Sequence, residues 1–123
     1  MKVISFNCRG LASSHKKSSL KRLVERIQPD VMFLQEIMGD CESVQKALHS
    51  LLSGWEFLVM DARGRSGGLA TSWHKARCHF NSSWGCFSCL GVDIYSQELN
   101  SSFFLINICG PYQERVVFWE KLF

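Results

Sequence analysis

The stretch Pro29–Glu36, which reads Pro-Asp-Val-Met-Phe-Leu-Gln-Glu, decides how this chain folds. Its centre, Val31–Leu34, is an unbroken apolar run of strand length, bounded by Asp30 before it and by Gln35 and Glu36 after it. Such a run is typical of a central strand that is buried on both faces. Because the chain turns polar directly after the run, we expect a carboxylate at the end of this strand.

The residues before this strand predict a shorter strand and a helix. Lys2–Phe6 alternates between polar and apolar residues and leads into the polar loop Asn7–Gly10. Lys16–Ile27 has the apolar spacing of an amphipathic helix, and Ser13 or Ser14 is available as its N-cap. The order strand, helix, strand is typical of an α/β domain.

The same alternation continues after the central strand. Asp40 is placed to cap a second helix, and Gly54 is placed to end it. Further strands are predicted at Trp55–Met60 and Leu69–Trp73.

The last third of the chain lacks helical spacing until its end. His74–Tyr95 predicts short strands, broken at Asn81–Ser83 and at Gly85. The apolar strand Phe103–Ile108 follows, and a turn at Gly110 and Pro111 then opens a terminal helix. Because that helix has no C-cap, we expect residues 1–123 to be a single domain that is truncated at its C-terminal end.

Composition limits the class of protein. With 123 residues, of which 46% are hydrophobic and 20% charged, the chain has the profile of an ordinary globular domain. Its net charge of +3 permits a polyanionic partner but is far below a histone-like excess. The sequence shows neither a secretory signal nor an apolar run long enough to span a membrane. We therefore expect an intracellular protein, nuclear or cytoplasmic, that is not secreted, has no membrane partner and keeps its six cysteines reduced.

Two strand ends present oxygen donors. Asn7 follows the first predicted strand, and Glu36 follows the second. An amide oxygen and a carboxylate together suit a hard cation such as Mg²⁺. In the alternative interpretation, Asn7 is a turn residue and Glu36 is a surface charge at a strand end.

Four segments of the chain resemble motifs of the endonuclease/exonuclease/phosphatase superfamily, in the same order. They are similar in particular to the endonuclease domains of plant LINE-type (non-LTR) retrotransposons. Met1–Gly10 resembles the opening strand with its Asn-x-Arg-Gly loop, Pro29–Glu36 resembles the strand that ends in Leu-Gln-Glu, and the later matches are Arg65–Ala70 and Leu105–Tyr112. The resemblance implies an α/β fold, namely the N-terminal part of the two-sheet α/β sandwich of the DNase I-like fold.

The resemblance also implies roles for single residues. Glu36 matches a ligand of Mg²⁺ (or Mn²⁺), and Asn7 matches a residue that orients the phosphate and the metal. Cys109 occupies the position of a tyrosine that contacts phosphate in the family, although a thiol is a weaker hydrogen-bond donor than a phenol. The Asp-x-Asn and Asp-His motifs that supply the family's base and histidine do not occur in these 123 residues.

Cationic and thiol side chains leave further alternatives. Arg9, Arg63 and Arg65, with Ser66, are candidate phosphate or nucleic-acid contacts, but a cluster of cations in a loop is also typical of a solvated surface. Cys86 and Cys89 are expected to be core thiols and not zinc ligands, because two positions three apart in one strand point to opposite faces.

The sequence therefore predicts a fragment of a Mg²⁺-dependent phosphodiester hydrolase, of the type of a retrotransposon DNA endonuclease, with DNA as its partner and with no activity on its own. One alternative is a phosphatase of the same superfamily. The other is a non-enzymatic degenerate remnant or interaction module. The sequence does not indicate an oligomeric state.

Overall fold

The computed structural model describes residues 1–61, 67–86 and 88–109. The predicted cationic loop residues Arg63, Arg65 and Ser66, and the predicted terminal helix after Cys109, lie outside the described residues. The described elements in chain order are β1 (Val3–Asn7), α1 (Ser14–Ile27), β2 (Val31–Gln35), α2 (Cys41–Leu51), β3 (Trp55–Met60), β4 (Leu69–His74), β5 (Cys78–Cys86), β6 (Cys89–Ser96) and β7 (Ser101–Ile108).

Both helices begin at the caps that the sequence predicts. The Ser13 side chain accepts a hydrogen bond from the backbone N–H of Lys16 at 3.2 Å, and Asp40 Oδ1 accepts one from Ser43 N–H at 2.9 Å. Each bond satisfies a backbone donor that the first turn of a helix leaves without a partner. Helix α2 ends at Leu51, and Gly54, at a φ of +83°, forms the turn into β3.

The described strands form two sheets. The first sheet has the order β1-β2-β4-β3, with β1 parallel to β2 and β4 antiparallel to both of its neighbours. The second sheet has the order β5-β6-β7 and is antiparallel. Strand β2 is thus paired on both sides, and Val31, Met32 and Leu34 are completely buried. The central strand predicted from Pro29–Glu36 is confirmed.

The elements stack in layers because β2 alternates between two apolar environments. Met32 and Leu34 belong to the core that the first sheet forms with α1 and α2, which includes Leu20 and Leu48. Val31 belongs to the second core, between the two sheets, and the partners it shares there are Trp73, Cys78, Val92 and Ile94. Helices therefore cover one face of the first sheet and the second sheet covers the other, so the predicted α/β class with two packed sheets is confirmed.

The predicted interruptions of the chain after His74 are wrong. Strand β5 is continuous. At the first predicted break, a bulge between Phe80 and Ser82 accommodates one extra residue within the strand. The polar residues at this point are exposed, so they remain in the strand without a burial cost. Cys86 and Cys89 also do not share a strand: Cys86 ends β5, Cys89 begins β6, and the two are cross-strand partners.

A buried asparagine ties the sheets together. Asn107 on β7 is fully buried, and its Nδ2 donates to the carbonyl oxygens of Ala70 at 3.1 Å and Leu34 at 3.4 Å. Its Oδ1 accepts from Gln35 Nε2 at 2.9 Å. These bonds compensate for burying an amide, and they fix where β7 lies over β2 and β4.

We predict that Asn107→Ala lowers the free energy of unfolding by about 3 kcal/mol, because it removes the hydrogen bonds of a fully buried amide to Leu34 O, Ala70 O and Gln35 Nε2. Ser102→Ala, at an exposed position of the same strand, is the matched control and changes the stability little. Urea unfolding of both variants measures the difference. Equal stabilities of the two variants would show that the amide does not join the sheets.

Candidate functional site

The loop after β1 runs alongside the end of β2. Cys8 N–H donates to Gln35 O at 2.9 Å, and Gly10 N–H donates to Glu36 O at 2.7 Å. Leu11 continues the series with a bond to Ile37 O at 3.2 Å. The backbone of Glu36 is therefore held by the loop that directly follows Asn7.

On its other side, Glu36 is packed against a glycine. A Cβ atom on Gly67 would lie 2.9 Å from Glu36 Cα and 2.6 Å from Met38 Sδ, closer than real Cβ atoms come. Gly67 O also accepts a hydrogen bond from Met38 N–H at 2.7 Å. This contact gives a physical reason for the glycine that precedes β4.

Glu36 has an unusual backbone conformation. Its φ is +53°, in the left-handed region that residues with a Cβ rarely adopt, and its side chain is half-buried. Arg9 in the facing loop has a φ of +48°. Such conformations cost of order 1–3 kcal/mol each and are concentrated at functional sites.

Asn7 lies at the same edge of the first sheet. It pairs with Gln35 in the register of β1 and β2, is exposed, and its Oδ1 accepts a hydrogen bond from Arg9 N–H at 3.1 Å. Lys16 Nζ donates to Cys8 O at 2.9 Å and also to Arg9 O, which anchors the loop to α1. An amide oxygen has two lone pairs, so the bond from Arg9 leaves acceptor capacity at Asn7.

Cys109 reaches this edge from the second sheet. Its N–H donates to Ser88 O at 3.1 Å, directly after β7 ends. Burial raises the pKa of the Cys109 thiol, and the Glu36 carboxylate raises it further. Burial likewise raises the pKa of Cys8 to about 11, with Lys16 lowering it and Glu36 raising it by smaller amounts. Cys8 and Cys109 therefore both lie within electrostatic range of Glu36.

The structure thus brings Asn7, Glu36 and Cys109 to one end of the sandwich, where β1, β2 and β7 end. Arg9 lies in the loop directly after Asn7 and is exposed. The roles predicted for these residues stay predictions, as do those of the residues that lie outside the described part of the chain.

Sequence reasoning missed the residues that support this end of the sandwich. Gln35 Nε2 donates both to Asn107 Oδ1 and to Ser5 Oγ, the latter at 2.8 Å, so it links β1, β2 and β7. The signal in the sequence was the polar Asn107 within the apolar run Phe103–Ile108. A polar residue in such a run is expected to have a buried partner.

The donor set at this end fits a hard divalent cation. Glu36 offers carboxylate oxygens directly after β2, and Asn7 offers an amide oxygen at the end of the neighbouring strand β1. Mg²⁺ is commonly held by one or two carboxylates together with water and substrate oxygens. Across residues 1–61, 67–86 and 88–109, this edge included, no group of three or more histidine, cysteine or acidic side chains is placed to hold a metal ion.

These features define a class of protein. One sheet covered by helices, an antiparallel sheet packed on its other face, and polar strand ends gathered at one end are the features of a DNase I-like α/β sandwich. The chain belongs to the endonuclease/exonuclease/phosphatase family, whose model matches residues 4–104. Members of this family generally depend on a divalent metal ion.

Solved structures have the same fold. TDP2 from D. rerio, complexed with a single-strand DNA product, matches 99% of this chain and 52% of its own, with 18% identity and a TM-score of 0.74. A mannosyl-6-phosphatase from Bacteroides thetaiotaomicron matches 99% of this chain and 58% of its own, with 13% identity and a TM-score of 0.75. An AP endonuclease from Leishmania major matches 88% and 39%, with 22% identity and a TM-score of 0.65.

At these identities the structural matches establish the fold alone. The chain spans about half the length of the first solved structures it matches. A search of curated proteins gave no significant match. None of the described helices is both long enough and apolar enough to cross a membrane.

We predict that Gly67→Ala destabilises the protein by about 1–3 kcal/mol, the usual cost of overpacking, and shifts the backbone NMR signals of Glu36 and Met38. Adding Met38→Ala to this variant removes the clash with the flexible Met38 side chain but leaves the clash with Glu36 Cα. We therefore expect the double variant to stay destabilised relative to Met38→Ala alone. Full recovery in the double variant would show that Gly67 does not hold the Glu36 backbone.

Proposed function

We propose that this chain provides the metal-binding half of a Mg²⁺-dependent phosphodiesterase site, of the type found in retrotransposon DNA endonucleases. The observation that carries the proposal is the placement of Glu36. Its backbone is fixed between the Cys8–Leu11 loop and Gly67, and its side chain lies at the edge where Asn7 and Cys109 also emerge.

Each residue has a role in this proposal. Glu36 would hold Mg²⁺ or Mn²⁺, and Asn7 would orient a phosphate through its amide. The bound cation would neutralise charge on the phosphoryl oxygens during hydrolysis. Cys109 takes the position of the family's tyrosine and contributes a short, weakly polar side chain there. In the metal-free protein, burial and, after it, the Glu36 carboxylate raise the pKa of the Cys109 thiol.

DNA is the proposed substrate. The chain carries a net charge of +3, and Arg9 lies in the loop that borders the site. The structure of TDP2 from D. rerio with a single-strand DNA product supports DNA as a substrate for this fold. The finer assignment, to a LINE-type retrotransposon endonuclease, rests on the similarity of the four sequence motifs.

The proposal includes two further expectations. The phosphate-binding surface would extend to Arg63, Arg65 and Ser66. The protein would be intracellular, either nuclear or cytoplasmic.

The other half of the site would come from a second part of the sandwich, which this proposal requires for turnover. A general base and transition-state donors are each typically worth a factor of about 10² or more. Within the described residues, β1 and β7 each have one edge without a strand partner, and both strands carry exposed apolar side chains: Val3 and Phe6 on β1, and Phe104 and Ile106 on β7. These edges offer a place for further strands.

Two alternatives each have an observation in their favour. The similarity to a mannosyl-6-phosphatase, with a TM-score of 0.75, favours a phosphatase that acts on a small phosphoester. Cys109 in place of a tyrosine favours a degenerate remnant that keeps the fold without the activity.

The test is a plasmid nicking assay in Mg²⁺. We predict no nicking by the 123-residue chain alone, and nicking once the C-terminal half of a full-length relative is fused to it. Glu36→Ala should abolish the nicking by the fusion, because it removes the carboxylate that holds the metal. Glu42→Ala, at an exposed carboxylate on α2, is the matched control and should keep full activity.

Three outcomes distinguish the proposed endonuclease half-site from its alternatives. Release of phosphate from small esters by the fusion, without nicking, would favour the phosphatase. A fusion that folds but hydrolyses neither substrate would favour the remnant. If the unfused chain nicks DNA and Glu36→Ala abolishes that nicking, the proposal that this chain holds only half of the site is contradicted.

Cys109→Tyr in the unfused chain should not restore activity, because a phenol adds a phosphate contact but no base.

A further inference from the structure

The connection between β5 and β6 brings two thiols together. Cys86 is the last residue of β5, Cys89 is the first residue of β6, and the two are direct cross-strand partners. Directly opposed residues of an antiparallel pair have Cα atoms about 4.5–5.5 Å apart. This range lies within the Cα separation of about 4.4–6.8 Å that a disulfide bond requires. The backbone thus places these two cysteines at bridging distance.

The side chains of this pair differ in exposure, and they interact: the Cys86 thiol is one of the groups that raise the pKa of Cys89. Cys89 is buried, with 1% of its surface exposed, whereas Cys86 is half-buried. Burial, and after it the neighbouring Cys86 side chain, raises the pKa of Cys89 to about 11. An oxidant in solution therefore reaches Cys86 first. Cys89 is shielded from solvent and remains a protonated thiol.

We propose that Cys86 and Cys89 are a dithiol site that hydrogen peroxide converts to an intramolecular disulfide. In the first step, the Cys86 sulfur attacks peroxide, the O–O bond breaks, and sulfenic acid and one water form. In the second step, the Cys89 sulfur attacks the Cys86 sulfur, the S–O bond breaks, and a second water leaves with the Cys89 proton. The two thiols are oxidised by two electrons, and peroxide is reduced to two waters.

The other cysteines lie in different surroundings. Cys8 is buried in the core beneath α1 and α2, and Cys78 is buried between the sheets. Cys41 is half-buried like Cys86, but its Sγ donates to Val59 O at 3.7 Å. In the described strand pairings, Cys86 and Cys89 are the pair of cysteines that face each other. Cys109 is half-buried as well, but it lies beyond the end of β7, next to the residue that pairs with Cys89. The pairing geometry therefore favours Cys86 and Cys89 as the pair that is oxidised.

The disulfide would act on the hairpin end that adjoins the candidate site. Ser88, between the two thiols, accepts the hydrogen bond from Cys109 N–H at 3.1 Å. Gly85, next to Cys86, packs near Met60 Sδ at the end of β3. Because the bridge closes only a two-residue connection, it adds little through loop entropy and serves as a local lock on this contact.

The test uses the reduced, folded protein treated with hydrogen peroxide at a small excess, followed by alkylation of the remaining thiols and peptide mass spectrometry. We expect one bridged peptide, lighter by two hydrogen atoms, that joins Cys86 to Cys89. Cys41 in the same sample is the internal control for a half-buried thiol without a facing cysteine, and it should be alkylated as a thiol.

Variants separate the two steps. In Cys89→Ser we expect the bridge to be lost and Cys86 to be trapped as sulfenic acid by dimedone, because the resolving thiol is absent. Cys41→Ser should form the bridge as the unaltered protein does. A bridge from Cys86 to Cys109, oxidation of Cys41 as fast as Cys86, or unchanged thiols at both Cys86 and Cys89 would each overturn the proposal.

Discussion

The side-chain amide of Asn107 lies in the interior between the two sheets, where a polar group without a partner costs roughly 1–3 kcal/mol. Its hydrogen bonds to Leu34 O, Ala70 O and Gln35 Nε2 can form together in one position of β7 over the first sheet. Apolar packing between sheets is non-directional and tolerates small shifts, but these bonds do not. The amide thus fixes the position of β7 over the first sheet, and that position brings Cys109 to the end of β2.

The same constraint extends to the site. Gln35, which the Asn107 amide holds, precedes Glu36, and Gln35 also bonds to Ser5 on β1. Glu36 then leaves the strand in a left-handed conformation, held by Gly10 N–H on one side and by the close approach of Gly67 on the other. A strained residue that packing fixes from both sides is typical of a functional position. The carboxylate is thereby presented at a defined place instead of at the end of a frayed strand.

The sequence predicted the parts of this structure that depend on local chemistry. The apolar run of β2, the caps Ser13 and Asp40, and the polar ends at Asn7 and Glu36 all follow from spacing and residue type. Pairing across the sandwich could not be predicted, because a period of two fixes which residues share a face but not which strand lies opposite. For this reason the bulge in β5 was predicted as a break, and Cys86 and Cys89 were assigned to opposite faces of one strand. The role of Asn107 was also hidden, since its partners are more than thirty residues away.

We propose that Glu36 holds a divalent cation at the edge where Asn7 and Cys109 also lie, and paramagnetic broadening by Mn²⁺ can locate that cation. Substoichiometric Mn²⁺ is added to the isotope-labelled protein while backbone amide signals are recorded, with Glu36→Gln as the comparison. We expect the signals of residues 7–10, 36–38 and 109 to broaden together, and Glu36→Gln to remove this effect. Broadening confined to other carboxylates, such as Glu42 or Glu98, or unchanged by Glu36→Gln, would contradict the proposal.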